Sequence, residues 1–147
     1  MKLHLMCGSK YKDGWTNYDA DKSVRADRHH DLSTGIPQPN DFVSFIYTEH
    51  GIEHLTAEQG KAFLRECHRV LKSGGVLRIA TPDLADHIDT YHRGVWKDKN
   101  WIDEAGYRGI IKNKCEFFNI GARDWGHQFL YDEECLRTYL TEIGFRN

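Results

Sequence analysis

The stretch from Phe42 to Ala80 constrains the fold more than any other part of the chain. Phe42–Tyr47 (FVSFIY) is dense in aromatic and β-branched residues and reads as a strand. Thr56 and Gln59 have the spacing of a capping box, which predicts a helix start there. Phe63, Leu64, Cys67, Val70 and Leu71 then recur at helical spacing and make one apolar stripe. Lys72 falls in the expected last turn, and Gly74-Gly75 is expected to stop the helix, since glycine accepts the left-handed conformation. Val76–Ala80 follows as another strand, halted by Thr81-Pro82. Strand, capped helix and strand in close succession form a βαβ crossover, which implies parallel strands.

Shorter β-like runs precede this unit: Leu3–Met6, Trp15–Asp19 and, more weakly, Val24–His30. Asp83 to about His92 reads as a short helix, and Asp132–Ile143 as a last one stopped by Gly144. Between them, residues 94–126 show no clean period and read as an irregular insertion over one end of the sheet. The 147 residues fit one domain, 1–147, with an α/β fold: a mostly parallel central sheet with helices on both faces. The net charge of −2 and the scatter of Lys and Arg among acids leave no basic stripe, so a nucleic-acid partner is not expected. No apolar run reaches the length of a membrane span, and the first residues lack the plan of a signal peptide. Cys7, Cys67, Cys115 and Cys135 form no C-x-x-C pair and are expected as reduced, mostly buried thiols of a cytoplasmic protein.

Open α/β sheets bind ligands beyond the carboxyl ends of their strands. Those ends carry Met6-Cys7-Gly8-Ser9, Asp19-Ala20, His30-Asp31-Leu32, Thr48-Glu49-His50 and Thr81-Pro82-Asp83. Small and polar residues thus gather where a nucleotide would lie. An acid after the second strand can accept both ribose hydroxyls, and Asp31 can accept from an adenine amine. Neither G-x-G-x-x-G nor G-x-x-x-x-G-K-[ST] occurs, which argues against a dehydrogenase and a P-loop enzyme.

The order LHLMCG, GWTNYD, HDLSTGIP, EHGIEHL, RVLKSGGVLRIATPD, GHQFLYD and IGF resembles a branch of the class I, Rossmann-like S-adenosylmethionine-dependent methyltransferases, of methyltransferase type 11 kind. The similarity runs over nearly the whole chain and is loosest between residues 94 and 124. It implies S-adenosylmethionine as cofactor, with Met6, Cys7, Gly8 and Ser9 facing its methionine part. Asp19 with Ala20 would bind the ribose, His30, Asp31 and Leu32 would flank the adenine, and Thr48, Glu49 and His50 would line the pocket where cofactor and acceptor meet. His50, His127 and Glu49 are the candidate catalytic bases for transfer to an unidentified small-molecule acceptor, and no metal is expected. Three departures stand out. Met6 occupies a position where the family usually has glycine, the helix after the first strand is absent or a single turn, and the C-terminal antiparallel strands are missing. An exposed sheet edge would then be covered by further chain or by a partner, including a second copy.

Two other readings stand beside this one. Met6 and the missing strands fit a methyltransferase-like binding module without activity. His50-Gly51-Ile52-Glu53-His54 matches H-x-x-E-H and would suit a zinc hydrolase if it lay on a helix, which Gly51 opposes. Trp96, Trp101, Phe117, Phe118 and Trp125 suit either a lid over an apolar acceptor or a satellite core beneath a long loop.

Overall fold

The computed structural model describes residues 1–146. Five strands, β1 (Lys2–Leu5), β2 (Thr16–Asp19), β3 (Arg28–His29), β4 (Val43–Glu49) and β5 (Leu71–Ala80), form one sheet in the order β3-β2-β1-β4-β5. Every neighbouring pair is parallel, so all carboxyl ends lie on one rim. The α/β fold with a parallel central sheet is as expected.

Helix α1 (Ala57–Val70) crosses between β4 and β5. Thr56 accepts from the Gln59 amide and the Gln59 side chain answers the Thr56 amide, so both halves of the capping box form. The helix ends at Val70, four residues earlier than the glycine pair suggests. Leu71 is drawn into pairing with Val43, and Gly74, with φ 74°, turns the chain inside β5 where the β4–β5 register shifts. His68 and Arg69, not Lys72, are therefore the last-turn cations.

The apolar stripe of α1 packs on Leu3, Leu5 and Ile46 of the sheet, and the last helix, α5 (Glu133–Ile143), lies beside it on the same face. Residues 6–15 pass between β1 and β2 as turns, since so few residues cannot hold a helix and two reversals. Trp15 instead packs edge-on against Phe45 and Tyr47, with Lys2 over its ring and Lys12 over that of Tyr47.

The insertion is more regular than its sequence suggests. After α2 (Leu84–Arg93) come a short α3 (Trp101–Glu104) and a ten-residue α4 (Lys114–Arg123). Trp96, Ile102, Ile111 and Phe117 form a second small core there, so Trp96 and Phe117 serve packing. Cys7 and Cys67 are buried as expected, whereas Cys135 is half-buried and Cys115 is exposed. All four are free thiols.

Candidate active site

Asp19 ends β2 and Gly8 begins the turn after β1, two adjacent strands. The Gly8 amide donates to Asp19 Oδ2 at 2.7 Å, and the Asp21 amide donates to Oδ1 at 2.9 Å. A carboxylate has about four lone-pair sites, so Asp19 keeps capacity for a ligand hydroxyl on each oxygen. Next to it, the His30 amide donates to the Asp19 carbonyl, which brings residues 30–32 to the same rim. Asp31 is exposed, caps the short 3₁₀ turn Leu32–Thr34 by accepting from the Ser33 amide, and leaves its other oxygen free. Ala20 and Ser9 are exposed along this rim, while Leu32 is buried beneath it.

The central strands β1 and β4 leave the sheet side by side, each through a non-glycine residue with positive φ: Met6 at 55° and His50 at 51°. Such backbone strain clusters at functional sites. Met6 folds against Gly51, where a Cβ would stand 2.6 Å from the sulfur. Beside them the Thr48 hydroxyl is buried and has no hydrogen-bond partner among the described residues. A buried hydroxyl left unpaired is costly. No atom lies within 4 Å of the position a Cβ on Gly8 would take, so the turn is open on its outer side. The rim therefore has room for a ligand, with the Asp19 carboxylate able to accept from its hydroxyls and free space over the first turn.

Glu49 accepts from Lys10 Nζ at 2.9 Å and from the Tyr47 hydroxyl at 2.8 Å. These hydrogen bonds hold its carboxyl below the usual range. The carboxylate is thus occupied in anchoring the first turn to β4, and the sequence offered no sign of Lys10 as its partner.

On the far side of His50 lies a cavity of about 480 Å³, walled by His50, His54, His87, His127, Trp101 and Trp125. Trp101 and Trp125 are the members of the aromatic set that reach it. His87 enters the site unpredicted, and His54, the last residue of the H-x-x-E-H motif, lines it as well. That motif is not helical: only Ile52–His54 form a single 3₁₀ turn, and His50 stands outside it. His50 and His54 therefore share no helical face, which removes the geometry the hydrolase reading needs.

His50 Nδ1 instead lies 3.2 Å from Glu53 Oε1, and Thr81 donates to Oε2 at 3.0 Å. Glu53 is fully buried. Burial pushes its carboxyl up, but the hydrogen bonds from His50, its own backbone and Thr81 outweigh that and carry it below the usual value. The hydrogen bond to Glu53 raises the His50 pKa against the opposing effect of burial. His127 differs, since burial lowers its pKa more than its bond to the Gly121 carbonyl raises it. A larger groove, about 880 Å³, runs between β5 and α5. It follows the β5 edge of the sheet, meets the histidine-lined cavity at Pro82 and Asp83, and has no histidine in its own lining.

Residues 11–79 match the sequence profile of a methyltransferase domain family. Among curated proteins none matches this sequence. The fold is similar to that of a SAM-dependent methyltransferase of Archaeoglobus fulgidus, with TM-score 0.64 and 16% identity over 99% of this chain and 61% of that one. It is similar as well to the CMeT domain of the citrinin polyketide synthase (TM-score 0.61, 12% identity, 99% and 40% coverage). A SAM-dependent methyltransferase of Aquifex aeolicus gives TM-score 0.53 and 16% identity, with 99% and 71% coverage. This chain thus spans about 61% of the length of the Archaeoglobus protein.

Proposed function

We propose that this chain is a class I Rossmann-like methyltransferase that transfers the methyl group of S-adenosylmethionine to a small-molecule acceptor, a reading supported by the profile match over residues 11–79 and by the parallel sheet. The observation that carries this reading is the clamp between Gly8 and Asp19, which joins the first turn to the acid after β2. Bound along the rim, the cofactor supplies a methyl group already activated by a sulfonium centre. The chain's task is then to position the acceptor and exclude water, and positioning alone can contribute about 7–11 kcal/mol.

Asp19 accepts the ribose hydroxyls, and His30, Asp31 and Leu32 border the adenine. Cys7 and Ser9 flank Gly8 in the turn, Thr48 offers its hydroxyl, and Glu49 pins Lys10. The cavity beyond His50 holds the acceptor, and its size and aromatic walls suit a small molecule rather than a polymer. His50 takes the acceptor proton at Nε2, because Glu53 holds its Nδ1 and fixes the ring, as a buried carboxylate orients a catalytic imidazole. A base so placed is worth about 10²–10⁴-fold. His127 lines the opposite wall.

Asp19→Ala tests the assignment. It should weaken S-adenosylhomocysteine binding by about 1.5–3 kcal/mol, as for hydrogen bonds to a charged group. Unchanged affinity in a folded variant would mean that the ribose lies elsewhere. The packing of Met6 against Gly51 favours a second reading, a binding module without turnover. That reading keeps the affinity and its loss in Asp19→Ala but predicts no methylated product with any acceptor.

A further inference from the structure

Glu53, His54 and His127 each bring one ligand atom to within 4.8 Å of the other two. Backbone bonds hold the two segments together. The amides of Gln128 and Phe129 both donate to the Glu53 carbonyl, at 2.8 and 3.2 Å, and the Gln128 side chain donates to the His54 carbonyl at 2.7 Å. The turn that presents His127 passes through Trp125, whose φ is 60°.

The donor chemistry is specific. His127 Nδ1 lies 3.0 Å from the Gly121 carbonyl, an acceptor only, so Nδ1 carries the proton and Nε2 keeps its lone pair. Such a bond to the distal nitrogen is the usual support of a metal-bound imidazole. His54 and His127 pack edge to face with ring centroids 5.0 Å apart. Behind them the Glu53 carboxylate is fully buried, and each oxygen accepts one hydrogen bond, which leaves lone pairs free. Buried charge calls for a counter-charge. Two imidazoles and one carboxylate are the set that holds zinc when one coordination position stays open.

We infer that Glu53, His54 and His127 form a binding site for one divalent transition-metal ion of the zinc class, on the wall of the acceptor cavity. This ligand set is not the H-x-x-E-H pattern, because His127 takes the place of His50. Tetrahedral zinc with ligands at about 2.0–2.1 Å needs donors about 3.3 Å apart, so the two rings close in as the ion binds. The open position faces the cavity, which selects acceptors with a hydroxyl or thiol. That last step rests on the methyl-transfer reading, whereas the ion site itself does not.

Calorimetric titration of chelator-treated protein with zinc chloride tests the site, with cobalt(II) absorption reporting the coordination geometry. One ion per chain is expected. His54→Ala and His127→Ala should each weaken binding by more than the roughly 10–100-fold typical of losing a supporting outer residue. His92→Ala, exposed on α2, should leave binding unchanged. Glu53→Gln should also weaken it. If that buried change unfolds the chain by circular dichroism, the two histidine variants decide the matter. No saturable binding by folded protein, or binding that survives both histidine changes, would overturn the site. S-adenosylhomocysteine titrated into the metal-free chain separates the two claims. Cofactor binding without zinc binding removes the ion and keeps methyl transfer; zinc binding without cofactor binding does the reverse.

Discussion

Gly60 and Tyr131 show how closely a single residue can be specified. Gly60 sits within α1, where alanine would be favoured by about 1 kcal/mol on intrinsic propensity. A Cβ there would overlap the Tyr131 hydroxyl, which is itself buried with no partner among the described residues. Burial raises the Tyr131 pKa to about 12, so the phenol is neutral. Gly60→Ala should therefore destabilise the protein, by about 1–3 kcal/mol as for other overpacking. Tyr131→Phe removes the clashing atom and an unsatisfied donor, so it should be close to neutral alone and should rescue Gly60→Ala. Urea denaturation of the four proteins of this cycle checks both statements, and a double variant as unstable as Gly60→Ala would refute the overlap. At the candidate site, the places of Asp19 and Thr48 at the carboxyl ends of β2 and β4 were legible in the sequence. The partnership of His50 with Glu53, and the return of His127 over His54, depend on turns whose positive φ values belong to residues other than glycine.

At the scale of elements, α1 was legible because local and tertiary signals agree there: the capping box, the stripe and the sheet it covers. Thr56→Ala should cost about 1 kcal/mol of stability, read as a lower denaturation midpoint with an unchanged slope. The end of α1 was misread because Gly74-Gly75 resembles a helix stop, whereas pairing with β4 captures Leu71 first. Helix α4 was overlooked although Asn113 caps it through the Glu116 amide. Its aromatic pair and internal Gly121 blur the helical period, and Gly121 is there because the His87 ring packs against it. The lack of a helix between β1 and β2 followed from the shortness of the Gly8–Asp19 segment, but the packing of Trp15 on Phe45 and Tyr47 could not be read from spacing.

The whole molecule combines a buried sheet with several histidines held in their neutral form. His4 lies within β1, stacked on Tyr47, with Nδ1 3.1 Å from Asn17 Oδ1. Burial lowers its pKa, and burial lowers that of His87 as well. Above the ordinary histidine value of about 6.5 neither the folded nor the unfolded chain holds these protons, so stability is flat. Below it the unfolded chain takes them up first, and stability falls with falling pH. His4→Phe should reduce that acid slope, because Asn17 Oδ1 still accepts from the Lys12 amide. Thermal melts between pH 7 and pH 5 would show the wild-type curve falling faster, and parallel curves would contradict the account.

The carboxyl rim of the sheet is the proposed seat for S-adenosylmethionine. Calorimetric titration of the purified chain with S-adenosylhomocysteine tests it most directly. Saturable binding at one site per chain is expected, with the native state gaining about 2.7 kcal/mol at a ligand level of 100 times Kd. A folded chain that neither binds the compound nor melts higher in its presence would contradict it.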